Sequence, residues 1–311
     1  MMKVGVRRLF NILLFTALAA QMAAGAQAPT PHYRAFDPKG NAVTLQTIVD
    51  ALGRADVLFI GETHDNPVAH LLEAELLRRA DETYGAASPH KRVVALSLEM
   101  FERDVQTVLD EYLAGLITER HFLLSSRPWK NYETDYKPLV EYAREHRLPV
   151  IAANAPARYV SRVSGQGPDS LGSLPQVALK SWLPPLPFPA ASEGYAAKFN
   201  RFMQGGAQTQ APAHGSLHLL EAQTLRDAAM AYAIVEYLKS VRAPLVVQVN
   251  GTFHSEERMG VPEQLARYRP KTRAVVVTIV PADTFPTFDA DTQARLGDFI
   301  IITDPKIVSS Q

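Results

Sequence analysis

Six short apolar runs punctuate the chain at residues 56–60, 92–98, 149–153, 244–249, 273–280 and 298–303. Each is partly β-branched and barely alternates between apolar and polar positions, the pattern of a strand covered on both faces, as in a parallel sheet between helices. The stretches between them follow a helical period. Asn66 and Pro67 make a cap and first-turn pair, and Val68, Leu71, Leu72 and Leu76 form the expected stripe behind them. Further helices are predicted over Val105–Leu113, with Leu109 and Leu113 on one side, over Tyr132–His146, and over Leu217–Val241, which carries Leu220, Leu225, Ala229, Ala233 and Val235. This alternation predicts an α/β fold with a largely parallel central sheet flanked by helices.

Residues 165–215 break the rhythm. Pro184, Pro185, Pro187 and Pro189 and a polar Gly-Gly-Ala-Gln-Thr-Gln stretch surround Trp182, Phe188, Tyr195, Phe199, Phe202 and Met203. Spacings of four and three place Tyr195, Phe199 and Phe202 on one face of a short helix. An insertion of this length with an apolar face is either a lid or binding element, or a helical hairpin packed on the core. The N-terminus has its own logic. Lys3, Arg7 and Arg8 precede an apolar run from Leu9 to Leu18, and Ala24-Gly25-Ala26 and Ala26-Gln27-Ala28 offer small-x-small cleavage sites. Residues 1–28 read as a secretory signal peptide, too short in its apolar part to span a bilayer. The expected organisation is thus a leader (1–28), a first part of the core (29–164), the helical, aromatic-rich insertion or lid (165–215) and a second part of the core (216–311). The expected location is periplasmic or secreted, with the protein soluble or peripherally associated with a membrane.

Composition narrows the chemistry. The 311 residues include 32 basic and 32 acidic side chains. The leader holds three of the bases and no acid, so its removal leaves 29 against 32, a net charge of −3. That balance argues against a nucleic-acid partner, which calls for a basic face. The absence of cysteine excludes disulfides, thiolate metal sites and cysteine nucleophiles. Any cofactor must be held by oxygen, imidazole or thioether ligands.

Those ligands collect at strand ends, where open α/β sheets bind their ligands. The first predicted strand delivers Gly61-Glu62-Thr63-His64-Asp65, the second Leu98-Glu99-Met100, the third Asn154 and the fourth Gly251-Thr252-Phe253-His254. Two Gly-x-x-His units and two glutamates therefore converge on one edge. Glu62 and Glu99 also suit helix N-termini, a purely structural use of negative charge there. As chemistry, Glu62, His64, Glu99 and His254 are a ligand set for a catalytic divalent metal, with one glutamate left over as general base. A metal-free version has one glutamate and one histidine activate water. No His-Glu-x-x-His, Gly-x-Ser-x-Gly or phosphate-loop motif occurs.

The same residues carry a family resemblance. The runs from Val57 to Pro67 and from Ser97 to Glu102, Trp129 to Tyr132 with Tyr136 to Leu139, Ala153-Asn154-Ala155-Pro156, Ala222-Gln223 with Asp227 and Met230-Ala231, and Gly251 to His254 resemble the ChaN-like haem-binding family. That family lies within the Tiki, TraB and erythromycin-esterase-like superfamily. The resemblance runs from about Leu52 to Pro270. It implies an α/β core with a helical insertion, haem (iron) as cofactor, a homodimer, and haem or iron uptake with an outer-membrane haem receptor or other uptake components as partners. In distant relatives it implies hydrolysis. The chain departs from lipoprotein members in lacking a lipobox cysteine.

Two functions follow, a haem carrier and a metal-dependent hydrolase of esterase or peptidase type. A third possibility keeps the strand-end residues as inherited scaffold around a binding site. For haem, ferric iron accepts a phenolate, and Tyr195 is the first candidate ligand, beside Phe199 and Phe202. Tyr132, Tyr136 and Tyr232 are the alternatives, each equally readable as a packed tyrosine. His218, with His214 four residues before it, and Arg158 and Arg201 are candidates to meet the propionates. A Soret band altered in Tyr195→Phe is the expected signature.

Overall fold

The computed structural model describes residues 32–204 and 217–307. The predicted leader lies outside them, as do residues 205–215 of the insertion, including His214.

The chain enters through strands β1 (Tyr33–Phe36) and β2 (Ala42–Val43) and helix α1 (Leu45–Asp50). Then come β3 (Val57–Glu62), α2 (Pro67–Tyr84), β4 (Val93–Glu102), α3 (Gln106–Leu113), α4 (Glu119–Ser126), α5 (Lys137–His146) and β5 (Val150–Asn154). Helix α6 (Ala157–Gln166) ends the first part of the core, and the insertion region supplies α7 (Gln176–Ser181) and α8 (Glu193–Gln204). The second part of the core supplies α9 (Leu219–Ser240), β6 (Pro244–Gly251), α10 (Val261–Tyr268), β7 (Ala274–Pro281), α11 (Ala290–Gln293) and β8 (Phe299–Thr303). The eight strands form one sheet in the order β2-β1-β8-β7-β3-β6-β4-β5. The six predicted strands make its parallel part, and β1, antiparallel to β8, extends it at one edge with β2.

Unalternating strands appear because both faces are covered. Leu58 and Ile60 face one apolar core with α1, α2 and α5, while Val57 and Phe59 face another with α9 and α10. The two end strands are treated differently. β5 is an outer strand, and the Gln106 side chain occupies its free edge, its Nε2 donating to the Val150 carbonyl and its Oε1 accepting from the Ala152 amide, each at 2.8 Å. A side-chain amide thus imitates a neighbouring strand and blunts an edge open to pairing.

Asn66 caps α2 as expected, accepting from the Val68 and Ala69 amides, with Pro67 in the first turn. Leu71 departs from the predicted stripe and is 73% exposed. The buried arc of α2 is centred on Ala69, Leu72 and Leu76 and also takes in His70 and Glu73, so Leu71 falls on the solvent side. The predicted helix from Tyr132 begins with a single π-helical turn, Tyr132–Tyr136, before α5, a feature frequent at functional sites. The first half of the insertion is a packed layer: Leu171, Ala178 and Leu183 join Tyr159, Val160 and Val163 of α6 against Ala222, Leu225 and Ala229 of α9.

Candidate functional site

The register of β3 on β6 sets Gly61 beside Asn250 and Glu62 beside Gly251, so the two Gly-x-x-His turns leave the sheet next to each other. Close approach explains their glycines. A Cβ on Gly61 would lie 2.7 Å from Ser255 Oγ and 3.1 Å from the Thr252 Cα, and one on Gly251 would lie 2.8 Å from the His64 ring. Glu62 is buried; its Oε1 lies 2.5 Å from His64 Nδ1 and accepts from the Tyr136 hydroxyl at 3.0 Å. His64 has a side chain 47% exposed and meets Trp129 edge-on at 4.8 Å. Burial alone lowers the His64 pKa, but the hydrogen bond to Glu62 and the charges of Glu62 and Glu99 outweigh it and raise the pKa above its ordinary value.

His254 is built differently. It is buried with both ring nitrogens engaged, Nδ1 2.6 Å from Asp227 Oδ1 and Nε2 3.3 Å from Glu99 Oε1, with the Gln223 amide 3.1 Å from the same Nε2. Glu99 in turn accepts from the Gly251 amide at 2.8 Å, and Asp227 accepts from the Tyr195 hydroxyl. Burial works against the charged imidazole, yet Glu99 and Asp227 carry its pKa up to about 10. Burial likewise opposes ionisation of Glu99, but the His254 charge and its hydrogen bonds pull it down to about 2. His254 and Glu99 thus form a closed ion pair, the imidazole a fixed cation at neutral pH rather than a base.

The four residues expected to share a metal consequently separate into two pairs, Glu62 with His64 and Glu99 with His254. Among the described residues, the one group of three or more potential ligands with mutually close atoms is Glu62, His70 and Glu73. A cavity of about 340 Å³ opens between the two pairs, bounded by His64, Glu99, Trp129, Asn154, Arg226 and His254. Asn154, in its lining, donates to the Glu99 carbonyl at 3.1 Å. Larger hollows lie elsewhere, one of about 820 Å³ around the start of β5 and one of about 540 Å³ between Phe188 and Leu220. Neither contains a histidine, and we place the chemistry at the smaller cavity.

The sequence model of the family described as haem-binding uptake, Tiki superfamily, ChaN matches residues 48–265. The chain belongs to this family. In fold it is similar to the ChaN protein of Campylobacter jejuni, solved with cofacial haem binding, at a TM-score of 0.63 and 16% identity over 88% of this chain and 97% of that one. A mutant of the erythromycin esterase EreC in its open conformation aligns at a TM-score of 0.45 and 12% identity, covering 88% of this chain and 83% of that one, too distant to carry an argument. Among curated proteins, Protein RETICULATA-RELATED 5, chloroplastic, of Arabidopsis thaliana is 25% identical over 281 residues. Those cover 85% of this chain, which spans only 36% of that relative's length.

For a member of the ChaN-like family, the placement of the expected haem contacts is decisive. The aromatic face of α8 forms as the spacing predicts, with the Tyr195, Phe199 and Phe202 rings 5.5, 6.3 and 5.1 Å from Phe253. Phe202 is 52% exposed. The hydroxyls are another matter. Tyr195 is buried on Asp227, and burial together with that carboxylate pushes its phenol far above the ordinary range. Tyr136 is buried on Glu62 and is raised in the same way. Tyr132 is buried among Phe101 and Phe122, its hydroxyl without a partner among the described residues, and desolvation raises it too. None of the three offers iron a phenolate in this arrangement. Tyr232 packs on Tyr268. His218 precedes α9, partly exposed and 3.5 Å from Glu221, and Arg158 is paired with Asp104. Sequence reasoning missed Asp227 as the partner of His254, and missed His70 and Glu73 altogether. Their signal was available, since both are ionisable residues on the apolar side of an amphipathic helix.

Proposed function

We propose that the protein binds haem at the strand-end cavity, with His64 as the iron ligand. The observation that carries this reading is the family match across residues 48–265. The site fits the group in three respects. A ligating histidine characteristically gives its other ring N–H to a carboxylate, and His64 Nδ1 is already held by Glu62 at 2.5 Å. Its ring is half exposed at the cavity rim beside Trp129. The exposed Phe202 and its neighbour Phe253 supply an apolar surface beyond the same strand ends. Bound haem supplies an iron centre; the chain supplies the imidazole, its orientation through Glu62 and the aromatic wall. Ligation competes with protonation of His64, so affinity falls as pH drops through its raised pKa.

We further propose that the chain is exported through residues 1–28, is cleaved there, and works as a homodimer in haem or iron uptake, handing haem to or from uptake components. The export signal in the sequence and the family's description support this part of the reading. Among the described residues no helix is long and apolar enough to cross a membrane. Hemin titration of the mature chain, with sedimentation before and after loading, tests the proposal. The expected result is a saturable Soret band and a dimer in the loaded form; a band growing linearly without saturation rejects haem binding.

A hydrolytic reading has weaker support in the geometry. His254 has both nitrogens occupied by carboxylates and stays charged at neutral pH, which removes it as a general base.

A further inference from the structure

A second cluster shares Glu62 with the haem reading and brings in His70 and Glu73, which that reading does not use. His70 and Glu73 belong to the first turns of α2 but face the interior, 6% and 0% exposed. His70 Nδ1 lies 3.4 Å from Glu73 Oε2, while its Nε2 lies 3.5 Å from Asp135 Oδ2 and 3.3 Å from the His64 carbonyl. Asp135 is held by Asn131, whose Nδ2 donates to it at 2.7 Å and also to the His64 carbonyl at 3.0 Å. One ligand atom from each of Glu62, His70 and Glu73 lies within 4.8 Å of the others.

The independent observation is an imbalance of acceptors. Glu62 Oε2 and Glu73 Oε1 are both buried with no hydrogen-bond partner among the described residues. Buried polar atoms are nearly always satisfied, and each exception calls for a cause. The local donors are already committed: the Tyr136 hydroxyl serves Glu62 Oε1, and Asn131 serves Asp135. A proton shared directly between the two orphan oxygens would satisfy both of them but would leave His70 outside the arrangement. A cation satisfies both and takes in His70.

We propose that Glu62, His70 and Glu73 bind a divalent first-row transition cation of the Mn²⁺, Fe²⁺ or Zn²⁺ class. Two carboxylates and one imidazole are the donor set such ions take, and the set contains no thiolate that would select a softer ion. With bonds of about 2.0–2.2 Å in a tetrahedral shell, ligand atoms stand about 3.3–3.6 Å apart, so a cluster whose ligand atoms lie within 4.8 Å of one another closes on an ion by side-chain shifts on the order of 1 Å. His70 Nδ1 is then the ligating nitrogen, and Asp135 and the His64 carbonyl receive the Nε2 proton, the usual outer support of a metal-bound histidine. Glu62 joins this ion to His64, so the cation is a positioning element for the haem ligand while its own binding needs no haem.

Zn²⁺ and Mn²⁺ are the probes. Haem-free protein equilibrated with either ion, dialysed and analysed for metal retains about one equivalent, and its thermal midpoint rises with added ion. Glu73→Gln and His70→Ala lose the bound metal and the rise, with affinity at least about tenfold weaker, while His218→Ala, at a partly exposed histidine, keeps both. Less than about 0.1 equivalent in the wild type overturns the proposal. So does loss of metal in His218→Ala with retention in Glu73→Gln. Should His70→Ala fail to fold, Glu73→Gln decides alone: it removes a buried charge at nearly constant shape, so a variant as stable as metal-free wild type but indifferent to Zn²⁺ supports the site. A variant that still gains stability from Zn²⁺ refutes it.

Discussion

Replacing Glu99 by Gln tests how the strand-end edge is held together. The amide keeps the shape and still accepts from the Gly251 N–H, now 2.8 Å from Oε2, but removes the charge facing His254. Bringing Glu99 from its ordinary 4.5 down to about 2 corresponds to about 3 kcal/mol. His254 keeps Asp227 as a partner, so the loss stays below the roughly 3–5 kcal/mol of a buried charge left alone and is expected at about 2–3 kcal/mol, or a fall in Tm of roughly 4–12 °C. Its pH dependence is the sharper signature. The depressed Glu99 contributes stability that is complete above about 4.5 and lost as pH falls towards about 2. The elevated His254 contributes stability that is complete below about 6.5 and lost as pH rises towards about 10. The difference between wild type and Glu99→Gln is therefore greatest between about pH 4.5 and 6.5 and narrows on both sides. Urea unfolding at intervals from about pH 3 to 10 measures it. A difference below about 1 kcal/mol at its greatest, or one that does not change with pH, would refute the ion-pair description.

Gln106→Ala removes both bonds that cover the free edge of β5 and should cost about 1–3 kcal/mol in urea unfolding, with faster hydrogen exchange at the Ala152 amide. Gly251→Ala places a methyl group 2.8 Å from the His64 ring; the half-exposed ring swings away, and haem affinity should fall about tenfold with the circular dichroism unchanged. Tyr195→Phe leaves Asp227 with His254 but without its hydroxyl donor, a loss of about 1–3 kcal/mol in stability. Its Soret band should match that of the wild type, contrary to ligation through this residue.

The parallel part of the sheet was legible because strands buried on both faces leave apolar runs, and Val57–Ile60 and Ala274–Val277 are such runs. Strands β1 and β2 were not, because Tyr33–Phe36 and Ala42–Val43 are too short and mixed to stand out. Their strand character comes from pairing, β1 with β8 and β2 with β1. Composition and order likewise placed Glu62, His64, Glu99 and His254 on one edge, but they carry no record of partners. Asp227 reaches His254 from α9, twenty-seven residues earlier in the chain, and its presence turns a potential metal ligand into a closed ion pair. The spacing of Tyr195, Phe199 and Phe202 gave the helix face correctly. Depth is not encoded in that spacing, so the burial of the Tyr195 hydroxyl emerged only from the packing of α8 on Phe253 and α9.

Hemin titration of the mature wild type alongside His64→Ala decides whether this imidazole holds the iron. The wild type should give a saturable Soret band, and the variant a shifted band with affinity at least about tenfold weaker, since losing even a ligand's outer partner costs about 10–100-fold. Identical band positions and affinities in the two proteins would contradict that assignment.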